Sequence, residues 1–341
     1  MLDLNLQKKR NALPKICVIG GGSFATAVVK ILSDNKLRVY WWMRDIESVN
    51  YIKEFKHNPK YLSSVEINTR KVRPTDKLRR AIKLADVVIL AVPAAFLEDA
   101  LSGLRARNFQ NKIVISAIKG LVLRTNDIIV DYIHNKFDVP YDKLAVIGGP
   151  CHAEEVAREK LSFLTVASES EEIRNRVSEL INCRYLRTRF TDDVIGTEYA
   201  AVLKNIYALA NGIGNGLGYG DNFQAVFIAN AQSEMERFLD AVRKEGEDRN
   251  GSHYLGDLLV TAYSQFSRNR TFGIMLGRGY SVESIQVEMN MVAEGYYATK
   301  CISKVMEDHD IEMPILQAVY DIVYHHKPAQ VVFKNLIERL N

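Results

Sequence analysis

The chain has 341 residues, 47% of them hydrophobic and 25% charged, with a formal net charge of +4. At roughly 150 residues per domain such a length suits about two domains. The composition excludes a long disordered chain, a collagen-like repeat and a disulfide scaffold, and the small positive balance does not by itself imply a nucleic-acid partner.

The N-terminal stretch MLDLNLQKKRNALPK carries its charges behind a short leucine-bearing segment and lacks the apolar core of a signal peptide. Nowhere does an apolar run approach the ~20 residues that a membrane span needs. Strands are predicted at 15–20 (KICVIG), 37–42 (LRVYWW), 86–92 (DVVILAV), 112–117 (KIVISA), 144–147 (LAVI) and 162–167 (SFLTVA). Continuous apolar runs of this kind suit strands buried on both faces of a parallel sheet. Helical stretches lie between them, for example at 24–34, and the alternation predicts a doubly wound α/β domain over 14–191.

From Asp192 onward, amphipathic helical patterns take over, clearest at 194–210 and 222–242. The second carries apolar Phe223, Val226, Phe227, Met235, Phe238 and Leu239. An all-helical domain over 192–341 follows. The join has no Gly/Ser linker, so the two domains are expected to pack closely. Cys17, Cys151, Cys183 and Cys301 form no CxxC pair and no zinc pattern with histidines. They read as free thiols of a reducing cytoplasm, and His309, His325 and His326 read as surface residues, so no metal is expected.

The most informative local feature is GGGSFATA at 20–27, directly after the first predicted strand. Gly20, Gly22 and Ala25 fit G-x-G-x-x-A. The first glycine allows the tight turn, the second lets the backbone approach a pyrophosphate, and Ala25 keeps helix and strand close. Phosphate would rest on the amides that open the helix at Ser23 and Phe24. This marks the first domain as a Rossmann fold that binds a dinucleotide. The second strand ends in Arg44-Asp45: Arg44 can hold the 2′-phosphate of NADP or stack on adenine, while Asp45 can serve the ribose of NAD. The choice between NAD and NADP stays open at this point. The stretch 53–83 holds ten Lys/Arg and three acids. Lacking interleaved aromatics, it reads as a solvated face or a positive rim for phosphorylated ligands rather than a nucleic-acid patch.

Several further segments occur together. They are NPKYL at 58–62, ADVVILAVP at 85–93, SAIKGL at 116–121, GGPCHAEEVA at 148–157, LKNIYALANGIGNGLGYGDN at 203–222, GDLLVTAYSQFSRNRTFG at 256–273 and VAEG at 292–295. With the glycine turn, and in this order, they resemble the NAD(P)-dependent glycerol-3-phosphate dehydrogenases, particularly the bacterial type. The resemblance implies a Rossmann domain followed by an all-helical substrate domain. It implies interconversion of dihydroxyacetone phosphate and glycerol 3-phosphate with NAD or NADP, a cytoplasmic place in phospholipid synthesis, and a homodimer.

The resemblance also implies roles for single residues. Lys204 would be the general acid in reduction and the proton acceptor in oxidation, because a lysine buried beside other cations has its pKa lowered towards working pH. Lys119, just beyond a strand end, would meet both substrate and cofactor. Asp257 would position the lysine and the substrate, with Thr261 on the same helical face. Ser267, Arg268 and Asn269 would grip the substrate phosphate, and Arg268 would reach the cofactor too. Gly149 and Ala153 would line the substrate and nicotinamide pocket, and Val292 and Glu294 its cofactor side. Two departures stand out. Cys151-His152 replaces the family's usual Ser/Thr-Phe and weakens a substrate contact at Cys151; as neighbours in sequence the two are poorly placed to form a nucleophile–base pair. NGSHYLGDL replaces a glycine-rich approach to Asp257. Competing readings are another two-domain reductase, of the β-hydroxyacid dehydrogenase or ketopantoate reductase type, and a non-catalytic NAD(P)-binding sensor.

Overall fold

The computed structural model describes residues 13–242, 249–289, 293–307, 309 and 311–341. Eight strands form one sheet: β1 (Lys15–Ile19), β2 (Arg38–Trp42), β3 (Val72–Thr75), β4 (Val87–Leu90), β5 (Ile113–Ser116), β6 (Leu144–Gly148), β7 (Ser162–Ala167) and β8 (Leu186–Thr191). Their order is β3-β2-β1-β4-β5-β6-β7-β8. The first six run parallel, with Cys17 of β1 level with Tyr40 of β2 on one side and Val88 of β4 on the other. This 3-2-1-4-5-6 arrangement is that of dinucleotide-binding sheets, whose ligand crevice opens where the strand order reverses, between β1 and β4.

All six strand regions read from the sequence are strands, and the sheet has two more. One expectation needs correction: the sheet is not parallel throughout. β7 lies antiparallel to β6, and β8 is parallel to β7. The chain leaves β6 through the short helix Ala153–Ala157 and turns back beside the strand.

The pleat explains the two apolar layers, since successive side chains point to opposite faces. Ile16 and Val18 join Val28, Trp41 and Ile89 on one face. Cys17 and Ile19 join Ile82, Val88 and Leu101 on the other, in a layer that continues without a break into Leu203, Ile206, Phe227 and Phe238 of the helical half. The sheet and the helices thus share this second layer, while the first belongs to the sheet half alone.

From Val194 to Ile337 every regular element is helical among the described residues. The centre is the helix Val194–Gly216, buried almost all round, as its apolar circumference requires. In the helix Asp221–Val242, Phe227, Met235, Phe238 and Leu239 are buried, whereas Val226 faces solvent. Arg268–Gly277 packs on the central helix through glycines of both. A Cβ at Gly273 would lie 2.0 Å from the Leu209 carbonyl oxygen, and one at Gly212 would lie 2.2 Å from that of Arg270. Backbone therefore rests on backbone at this crossing. Among the described residues no helix is long and apolar enough to cross a membrane.

Candidate active site

A cleft of about 540 Å³ runs between the C-terminal ends of the first strands and the helical half, within the size range of cofactor and substrate pockets. At its sheet end lies the glycine turn. Gly20 has φ +134°, and a Cβ there would sit 2.3 Å from the Ala91 carbonyl oxygen, so only glycine fits. Around Gly22, by contrast, a Cβ would meet nothing within 4 Å. Open space thus faces the first amides of the helix Ser23–Asp34, where Gly22, Ser23 and Phe24 line the cleft and N–H groups lack intrahelical partners. Ala25 is fully buried behind them. The turn is buckled by Asn58, whose amide donates to the Gly21 carbonyl at 3.0 Å and to Thr26 Oγ1 at 2.9 Å, while its Oδ1 accepts from the Lys60 and Tyr61 amides.

At the end of β2 the exposed Arg44 guanidinium lies over the Phe96 ring, 6.0 Å from its centroid, on the cleft wall. Asp45 caps the helix Ile46–Phe55 through the Glu47 amide and also accepts from Ser48 and from Lys60 Nζ, the last two at 2.7 Å. Hydrogen bonds from Lys60 and Ser48 hold its carboxyl down at about 2.

At the other end three charged groups meet. Asp257, 1% exposed, forms an ion pair with the Lys204 ammonium, and its second oxygen lies 3.5 Å from Lys119 Nζ. Lys119 also reaches the carbonyl oxygen of Gly149 at 3.5 Å and stands 5.7 Å from the centroid of the Phe24 ring. Both lysines line the cleft, and Asp257 sits behind them. Burial pushes the Lys204 ammonium down to about 7, with the Lys119 cation adding to the depression and Asp257 opposing it. Lys119 moves the other way: burial works against its charge, but Asp257 outweighs burial and keeps it above the usual range. For Asp257 burial favours the neutral acid, and the Lys119 and Lys204 cations more than offset this, holding it ionised.

The remaining wall includes Cys151, His152, Ala153, Thr261, Ser267, Arg268, Asn269 and Glu294. Ser267 caps the helix Arg268–Gly277, its Oγ accepting from the Arg270 amide at 3.3 Å. Thr261 donates to the Asp257 carbonyl at 2.6 Å. Glu294 accepts from the Ala94 amide at 3.2 Å, and burial pushes its carboxyl up to about 7. Burial also pushes the Cys151 thiol up to about 12, which suits an inert thiol rather than a nucleophile. Val292 lies outside the described residues. Gly20, Ala25 and Gly149 support the wall from behind.

Sequence reasoning overlooked the tie that joins these groups. Asn205 donates to the Lys119 carbonyl at 2.9 Å and accepts from Asn269 Nδ2 at 2.9 Å; Asn269 in turn accepts from the Gly295 amide at 2.9 Å. The adjacency of Asn205 to Lys204 was its only signal, since its partners are 86 and 64 residues away.

A dinucleotide-type glycine turn facing a buried lysine–aspartate–lysine group across an inter-half cleft defines a two-part Rossmann dehydrogenase. Comparisons with known proteins narrow this. Residues 15–174 match the model for the N-terminus of NAD-dependent glycerol-3-phosphate dehydrogenase, and residues 193–334 match that for its C-terminus. Relatives named glycerol-3-phosphate dehydrogenase [NAD(P)+] include one from Syntrophomonas wolfei, 34% identical over 96% of this chain and 95% of its own. Another, from Chlorobium limicola, is 33% identical over 95% and 97%. A crystal structure of glycerol-3-phosphate dehydrogenase from Coxiella burnetii superposes with a TM-score of 0.90 at 26% identity, covering 96% of this chain and 99% of the other. The chain belongs to the NAD-dependent glycerol-3-phosphate dehydrogenase family, and is therefore an NAD(P)-dependent oxidoreductase. A ketopantoate reductase from Ralstonia eutropha, at a TM-score of 0.57 and 13% identity, shares the fold alone.

Proposed function

We propose that this protein interconverts dihydroxyacetone phosphate and sn-glycerol 3-phosphate, with Lys204 as the proton donor in reduction and the acceptor in oxidation. The observation that carries the reading is the buried Lys204 ammonium, paired with Asp257, that opens into the same cleft as the glycine turn. Family membership supplies the substrate.

The described residues fit a dinucleotide. The space in front of Gly22 and the bare amides at Ser23 and Phe24 suit its pyrophosphate, with Gly20 and Ala25 shaping the turn. Arg44 would serve the adenosine end, and Ala153, Glu294 and Arg268 the nicotinamide side. When bound, the nicotinamide gives or takes the hydride.

The chain's own residues do the rest. Lys204 hands a proton to the oxygen at C2 as it gains negative charge, and Lys119 stabilises that charge from the other side. Asp257 stays ionised between the two lysines, holding both in place and keeping Lys204 from losing its proton too readily. Ser267, Arg268 and Asn269 open a helix at the cleft wall, where N–H groups and the guanidinium suit a phosphate. Thr261 and Cys151 complete the substrate's surroundings, with Gly149 behind them holding Lys119 through its carbonyl. A reductase of the ketopantoate type would share the sheet but would not need Asp257 followed by Ser267-Arg268-Asn269.

Purified protein given dihydroxyacetone phosphate and reduced cofactor should consume that cofactor, seen as falling nicotinamide absorbance. Lys204→Ala should lower kcat by about 10²- to 10⁴-fold, the usual worth of a general acid, with cofactor affinity retained. A variant with undiminished kcat would remove Lys204 from the mechanism.

A further inference from the structure

The altered segment before Asp257 builds a second buried charge cluster, away from the cleft. Asp193 caps the central helix, its Oδ1 accepting from the Gly196 amide at 2.7 Å. Its Oδ2 accepts from Arg249 Nη1 at 3.1 Å and from the Tyr254 hydroxyl. The guanidinium of Arg249 also donates to the Tyr254 hydroxyl at 3.1 Å, and its centre stands 5.3 Å from the centroid of the Tyr254 ring. The main chain of Arg249 is fixed as well, its carbonyl accepting from Gln232 at 2.9 Å. Asp193 and Tyr254 are fully buried and Arg249 nearly so.

Two elements converge on this cluster, and they are the ones that carry the catalytic ion pair. Asp193 fixes the start of Val194–Gly216, the helix of Lys204. Tyr254 lies in the π-helical turn Ser252–Gly256, which runs directly into Asp257–Tyr263. A glycine-rich approach to Asp257 would have no side chain for such a bond.

We infer that Tyr254 and Arg249, anchored on Asp193, are positioning residues that hold Asp257 against Lys204. None of the three touches the cleft, so they act through the ion pair. Charge-assisted bonds in a dry setting fix geometry well, and a displacement of about 1 Å at reacting groups can cost ~10²-fold in rate. The inference rests on the proton-transfer role proposed for Lys204.

The test compares Tyr254→Phe with Asp193→Asn, which can keep the cap on the Gly196 amide while losing the charge. Each should lower kcat for reduction by about tenfold or more, on the same geometric ground, with KM for dihydroxyacetone phosphate little altered. The high-pH limb of reduction should also move to lower pH. Asp257 raises the pKa of Lys204, and a looser pair removes that support. Lys204 also faces Lys119, Cys151 and His152, and neither variant changes them. Should Tyr254→Phe not fold, Asp193→Asn decides. A fall in melting temperature with kcat and the limb unmoved would make the cluster a structural brace only and overturn the proposal. Lys204→Ala, assayed in parallel, separates the two readings: turnover surviving there strikes the lysine's role and this inference together. Turnover lost there, with the other two variants active as wild type, strikes this inference alone.

Discussion

At the end of β2, Asp45 is already committed. One oxygen accepts from the Glu47 amide at 3.1 Å and the other from Ser48 and Lys60. A carboxylate so occupied, and neutralised by an ammonium, is a poor acceptor for a ribose 2′-hydroxyl. The neighbouring Arg44, exposed beside Phe96, presents positive charge to the same corner of the cleft. NADPH is therefore expected to be the preferred cofactor, a choice that the residue types alone left open. Arg44→Ala should lower kcat/KM for NADPH by about 10- to 100-fold, as for loss of a charged hydrogen bond worth ~1.5–3 kcal/mol, and leave that for NADH nearly unchanged. Steady-state kinetics with both cofactors checks this; equal losses with the two would contradict it. Individual residues also mark the limit of what the sequence tells. Lys119 could be singled out from its place beyond a strand, but Lys204 became recognisable only within its motif, because an isolated lysine on a helix is normally solvated. Asn58, Asn205 and Tyr254 went unnoticed as supports because their partners come from distant segments.

Among the elements, the crossing of Val194–Gly216 with Arg268–Gly277 sets the geometry of the cleft, for one helix carries Lys204 and the other begins with Arg268. Gly212 and Gly216 on the first, and Gly273 and Gly277 on the second, each place a missing Cβ within 2.4 Å of a backbone atom across the interface. Gly273→Ala must part the helices, at about 1–3 kcal/mol by analogy with overpacked cores. That should appear as a melting temperature lower by several degrees together with weakened use of the phosphorylated substrate; an unaltered melting temperature would refute the tight crossing. Strands were legible in proportion to their burial. The apolar runs of β1, β4 and β5 stand out because both faces are covered. β3, reading VRPT within a basic stretch, and β8, reading LRTRFT, did not. They are the two edges of the sheet, where charge and proline discourage pairing with other chains and erase the apolar signal. The reversal of β7 left no mark in residue type, since an antiparallel strand buried on both faces has the same pattern as a parallel one.

For the molecule as a whole, sheet and helices share one layer of the core, so both walls of the cleft rest on a common packing. That packing brings a lysine at position 204 to the same cleft as a turn at position 20. The fold by itself serves many chemistries, as the fold-level likeness to ketopantoate reductase illustrates. The central claim is that one ammonium, lowered by burial to about 7, moves the proton in both directions. Reduction needs Lys204 charged, so its kcat should fall as pH rises through that value; oxidation needs the free amine, so its kcat should rise over the same interval. The most direct measurement is the pH dependence of kcat for dihydroxyacetone phosphate reduction and for glycerol 3-phosphate oxidation on the same preparation. Opposite limbs crossing near pH 7 are predicted, whereas limbs that run in the same direction would contradict the account.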